Sequence, residues 1–168
     1  THGRDNNIQL LRLVAAAAVM LFHSFALIGR MGDDPLFRAT NAINFSVLGV
    51  ECFFVLSGFL VTRSWLERPR LLAFAAARAL RIYPALLVAV GLSIVLAGWS
   101  STVPWREFLS SYITIDYAWN NTLAWEVRYA LPGAFLSNPF PGAVNGSLWT
   151  LPVELRLYIA VAIAGLTI

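Results

Sequence analysis

The sequence has no lysine: all twelve basic residues are arginine. It is short of charge altogether, with 12% Asp, Glu, Lys and Arg, where a soluble domain carries roughly a quarter. Two histidines and one cysteine, Cys52, show no close ligand spacing, which argues against zinc, and a single cysteine excludes an intrachain disulfide. Neither Ser57 nor Ser147 sits in a Gly-x-Ser-x-Gly elbow, so a serine nucleophile has little support. Internal repeats, coiled-coil heptads and low-complexity tracts are absent. The formal charge is +3, yet the arginines cluster between apolar runs. That pattern marks membrane topology and speaks against nucleic acid as a partner.

What the chain has is hydrophobic length. With 58% hydrophobic residues and a mean hydropathy of +0.68, it reads as an integral membrane protein. The expected fold is all-α, a polytopic transmembrane helical bundle. Four segments are long enough to cross about 30 Å of hydrocarbon at ~1.5 Å per residue: 8–28, 45–66, 82–99 and 148–168. Pro84 is acceptable in the first turn of the third. Arg12 and His23 interrupt the first run, which weakens a signal-peptide reading. "HGRD" at the start reads as a solvated tail. The chain begins without Met and ends inside an apolar run, so it reads as part of a longer protein, its 1–168 forming one membrane region.

Loop charges predict the orientation. Arg63, Arg68, Arg70, Arg78 and Arg81 face only Glu67 between the second and third spans, and Arg4 and Arg12 mark the N-terminus. Residues 29–44 balance Arg30 and Arg38 with Asp33 and Asp34, and residues 100–146 set Arg106 and Arg128 against three acids. The positive-inside rule puts the N-terminus and the 63–81 loop in the cytoplasm. Trp105, Trp119 and Trp125, with Trp99 and Trp149 at span ends, suggest that 100–146 lies along the outer interface. Gly49 and Gly58 read as positions of close helix packing.

Ionisable residues inside the spans need a reason to be there. Arg12 and His23 are eleven residues apart, which puts them within ~20° on one helix face and ~16 Å apart. Counted from the span ends, His23, Glu51 and Glu154 fall at nearly one depth in three different spans, and in lipid they should turn inward and meet. A carboxylate beside the imidazole would suit acid–base catalysis. A proton relay in a transporter and a structural polar cluster fit the same three residues equally well.

Four motifs favour one of these readings. "R-x10-H" at Arg12 and His23, "GVECFFVLSGFLV" at 49–61, "ARALRIYP" at 77–84 and "NGSLWTLPVE" at 145–154 together resemble the membrane-bound acyltransferase 3 family, bacterial proteins that O-acylate surface glycans. The resemblance covers nearly the whole chain and corresponds to the N-terminal part of a domain of about ten helices. It implies transfer of an acyl group, usually acetyl from acetyl-CoA, to a sugar hydroxyl, at the bacterial inner membrane and with no metal. Arg78 and Arg81, the family's R-x-x-R pair, would bind the donor's phosphates from the cytoplasm, and Arg12 would line its path. His23 would act as general base or as an acyl relay, oriented by Glu51 or Glu154. Trp149 would wall the carbohydrate acceptor's site or anchor the interface. Membrane lipid, acyl-CoA and the glycan are the implied partners, with a C-terminal extracytoplasmic domain or partner outside this chain. A proton-coupled transporter remains the alternative, and a scaffolding relative without activity a third.

Overall fold

The computed structural model describes residues 2–167, with side chains from Asn7 onward. The basic Arg4 and the "HGRD" side chains lie outside the described residues. The chain is helical, and among the described residues the only β feature is an isolated antiparallel bridge between Ala130 and Ala143. It divides into two compact units, residues 1–63 and 64–168. Four helical segments are long and apolar enough to cross a membrane: Asn7–Leu27, Phe45–Glu67, Leu71–Ser100 and Gly146–Leu166. This is a membrane protein by the length and composition of its helices.

The first unit holds α1 (His2–Leu27), α2 (Pro35–Thr40) and most of α3 (Phe45–Glu67). Past Gly3, α1 runs through strong helix formers with no further Gly or Pro until Gly29. Gly29 then adopts φ +74°, and the amides of Gly29 and Arg30 return to the carbonyls of Ala26 and Phe25. A left-handed glycine that satisfies the last carbonyls is a standard helix stop. Asp34 organises the connection. It is fully buried, and its carboxylate accepts from Phe37 N at 2.9 Å, capping α2, and from Phe45 N at 3.2 Å, at the start of α3. Its neighbour Asp33 pairs with Arg30 and, at 2.7 Å, with Arg38.

The second unit holds the last turn of α3, then α4 (Leu71–Ser100), α5 (Trp105–Ser110), α6 (Tyr112–Leu123) and α7 (Thr150–Leu166). α4 starts at Leu71, well before the expected position 82, and Pro84 lies inside it. The reason is local: "LLAFAAARALR" is, apart from Phe74, built of Leu, Ala and Arg, the best helix formers, with nothing to stop it. Arg78 and Arg81 are therefore helix residues, and the connection from α3 shrinks to 68–70. At ~1.5 Å per residue the 30 residues of α4 extend ~45 Å, past the ~30 Å of a hydrocarbon core. Its buried residues Phe74, Ile82, Leu86, Val90, Ser93 and Ala97 follow helical spacing along one face.

The segment between α4 and α7 packs onto the end of α4. Trp105 seats against Gly98, where a Cβ would come within 1.8 Å of the indole, and it stacks on Phe108. Trp105 thus packs on α4 while still 43% exposed, and Trp119 and Trp125 also keep outward faces. α6 packs on α4 with Tyr117 fully buried opposite Ser93. Burial pushes the Tyr117 phenol pKa up, the Ser93 hydroxyl pulls the other way, and the phenolic oxygen has no hydrogen bond of normal geometry. The Asn121 side chain exchanges two hydrogen bonds with the backbone of Arg128, at 2.9 and 3.1 Å. Glu126 and Asp116 ion-pair with Arg128 at 2.8 and 2.7 Å and hold it firmly protonated. Before α7, Asn145 caps a 3-10 turn over Gly146–Trp149. Pro152 falls in the first turn of α7, where a missing amide costs nothing.

Candidate active site

His23 lies on an exposed face of α1 near its end. Its Nδ1 stands 2.7 Å from the carbonyl oxygen of Val19, one turn back. A carbonyl can only accept, so in the neutral ring Nδ1 carries the proton and Nε2 the lone pair. The Phe22 ring meets the imidazole edge-on at 5.6 Å. The backbone thus performs the orienting task that the sequence suggested for a carboxylate.

Gly49 sets the register of α3 against α1. A Cβ there would lie 2.6 Å from Val19 Cγ2 and 2.7 Å from the Ala15 carbonyl oxygen, so α3 crosses α1 between those residues. Gly58, by contrast, has open space around it. Asp34 keeps the start of α3 beside the connection that leaves α1. Glu51 lies two residues beyond Gly49, the point at which α3 meets α1. Among the described residues Glu51, on an exposed face, makes no hydrogen bond or ion pair.

The second unit gathers a different set. Arg78 borders a cavity of about 320 Å3 between α4 and α7, walled by apolar residues including Leu71, Phe74, Ile82, Leu155, Ile159 and Leu166. Its guanidinium carbon stands 5.6 Å from the Phe74 ring centre and 5.8 Å from that of Tyr158. Nη2 reaches the Ser64 hydroxyl at 3.4 Å, and among the described residues the buried Nε has no hydrogen-bond partner. Tyr158 in turn donates its hydroxyl to Glu154 Oε1, one turn earlier on α7. Because Tyr158 lies eight residues past Thr150, the guanidinium sits ~12 Å below the start of α7, near the middle of that helix. Arg81, one turn on from Arg78, is exposed. Trp149 is half-exposed where the 3-10 turn meets α7.

The motif reading passes over Tyr158, Phe74 and Ser64, which surround Arg78. Two of them carried a signal, since Tyr158 is four residues from Glu154 and Phe74 four from Arg78, the spacing of helix neighbours. It also passes over Arg156, a charge within the fourth apolar run, whose guanidinium lies 5.2 Å from the Trp125 ring and reaches the Trp125 carbonyl at 3.3 Å. Among the described residues no three His, Cys, Asp or Glu side chains group as metal ligands.

Comparison with known proteins bears on what this arrangement serves. Residues 5–165 match the acyltransferase domain model of the acyltransferase 3 family. The chain is 35% identical over 162 residues to nodulation protein 10 of Rhizobium leguminosarum bv. viciae, covering 94% of this chain and 43% of that protein. It is 32% identical over 161 residues to an O-acetyl transferase of Shigella phage Sf6, covering 96% and 46%. A regulator of hypoxia-inducible factor 1 from Caenorhabditis elegans is 30% identical over 139 residues, covering 79% and 25%. The chain therefore spans less than half the length of these relatives. No solved structure matches it. With the family's domain matched from one end of the described helices to the other, the chain belongs to the acyltransferase 3 family.

Proposed function

We propose that the protein is an integral membrane O-acetyltransferase that moves acetyl from acetyl-CoA in the cytoplasm to a hydroxyl of a glycan across the bacterial inner membrane. The observation that carries the donor half is Arg78: a guanidinium beside an apolar cavity of ligand size, with a buried Nε that no group among the described residues satisfies. A planar fork with an unspent donor suits a phosphate, and its neighbour Arg81 adds a second charge on the approach. The O-acetyl transferase of the phage, at 32% identity, supports acetyl as the group moved.

His23 is the residue we assign to chemistry. With Nδ1 committed to Val19, the Nε2 lone pair accepts the proton of the acceptor hydroxyl. The oxygen attacks the thioester carbonyl, the C–S bond breaks, and the leaving CoA thiolate takes the proton from Nε2. Arg12, on the same face of α1, lines the donor's path. Trp149 is assigned to the acceptor side. The N-terminus is cytoplasmic in this reading, supported by the internal pairing of the charges in 30–38 and 116–128, which leaves Arg68 and Arg70 as the concentrated positive turn. Deleting the gene should remove O-acetyl groups from the cell's surface glycan, and the wild-type gene should restore them. A glycan whose acetylation is unchanged would overturn the assignment.

A further inference from the structure

We propose that Tyr158 is a positioning residue for the donor site, the wall that aims the Arg78 guanidinium into the cavity. The inference rests on the reading of Arg78 as a donor-binding residue and adds to it the group that makes that arginine competent. An arginine side chain has several rotatable bonds, and holding it in one place costs rotamer freedom. Here two aromatic rings contact it, Phe74 at 5.6 Å and Tyr158 at 5.8 Å, and Ser64 holds one terminal nitrogen. What those contacts leave is Nε, buried and without a partner, at the edge of an apolar cavity that both rings also line. Phe74 sits on the same helix as Arg78, one turn back, so it moves with it. Tyr158 is on the opposite wall, on α7, and its hydroxyl is tied to Glu154. It is the residue that fixes the guanidinium relative to the other side of the cavity. A ring face attracts a cation without using any of its N–H groups, so Tyr158 orients Arg78 and still leaves its donors to a ligand.

A double-mutant cycle on purified full-length protein tests this, with CoA affinity in detergent as the readout. Tyr158→Leu should weaken CoA binding about 5- to 30-fold, the range of a desolvated cation–ring contact. Tyr158→Phe, which keeps the ring, should recover most of the affinity. In an Arg78→Ala background, Tyr158→Leu should change affinity by less than about twofold, because its effect passes through the arginine. If the leucine variant does not accumulate, Tyr158→Met, closer in volume, takes its place in the cycle. Equal losses from Tyr158→Leu with and without Arg78, or no loss at all, would overturn the positioning role while Arg78 stands. CoA affinity unchanged in Arg78→Ala alone would instead overturn the donor-site reading, and the positioning role with it.

Discussion

The Trp65 indole lies across Gly165 so closely that a Cβ at 165 would stand 1.9 Å from its Nε1. Trp65 is buried and meets Phe74 edge-on at 5.1 Å, and Phe74 in turn faces Arg78. A bare helix surface at the end of α7 is thus one term of a stack that ends at the candidate donor residue. Gly165→Ala should force the indole out of its seat at a cost of about 1–3 kcal/mol. Thermal unfolding in detergent should show a lower midpoint and CoA affinity should fall with it. An unchanged midpoint would mean that Trp65 is not seated there.

His23→Ala should reduce acetyl transfer by about 10²–10⁴-fold while protein abundance in the membrane stays near normal. The exposed position of the ring makes a folding defect a small part of the effect. Activity within a few-fold of wild type would return His23 to a packing role.

The two arginines should separate. Arg78→Ala should weaken CoA binding more than Arg81→Ala, because Arg78 borders the cavity and Arg81 faces outward. Arg78→Lys should recover only part of the loss, since an ammonium lacks the fork and its planar contact with two rings. Equal effects of the two alanine variants on measured affinity would contradict the cavity as the donor's place.

Asp34→Ala removes a helix cap and a second backbone hydrogen bond together. The expected loss of stability is about 1–3 kcal/mol, read from thermal unfolding in detergent. Asp34→Asn should fall between, because one oxygen can still accept while its NH2 group would meet an amide donor. A variant as stable as wild type would show that the connection of α1 to α3 does not depend on this carboxylate.

Hydropathy alone located three of the four long helices to within a few residues, because a bilayer-length apolar run leaves few alternatives. It cut the third short, since the arginines of "AAARALR" lower hydropathy without lowering helix propensity. Arg12, His23, Glu51, Arg78 and Glu154 stood out as candidates in the sequence, because ionisable groups are conspicuous in lipid-facing segments. Their partners were harder to read. The Val19 carbonyl that orients His23 is a backbone group and leaves no trace in residue identity. The close approach of α3 to α1 at Gly49, against Ala15 and Val19, is a packing fact that counting from span ends does not contain. Tyr158 could have been found from its four-residue spacing to Glu154, but a tyrosine in an apolar run attracts no notice by composition.

Acetyl transfer by the purified full-length protein, with labelled acetyl-CoA and its surface glycan in detergent, tests the central claim most directly. Detergent abolishes any ion gradient, so a transferase and a proton-coupled transporter give different results. The account predicts labelled O-acetyl on the glycan together with free CoA, both lost in His23→Ala and both restored with the wild-type histidine. Label that stays on CoA in the presence of glycan, from folded protein, would contradict it and favour the transporter.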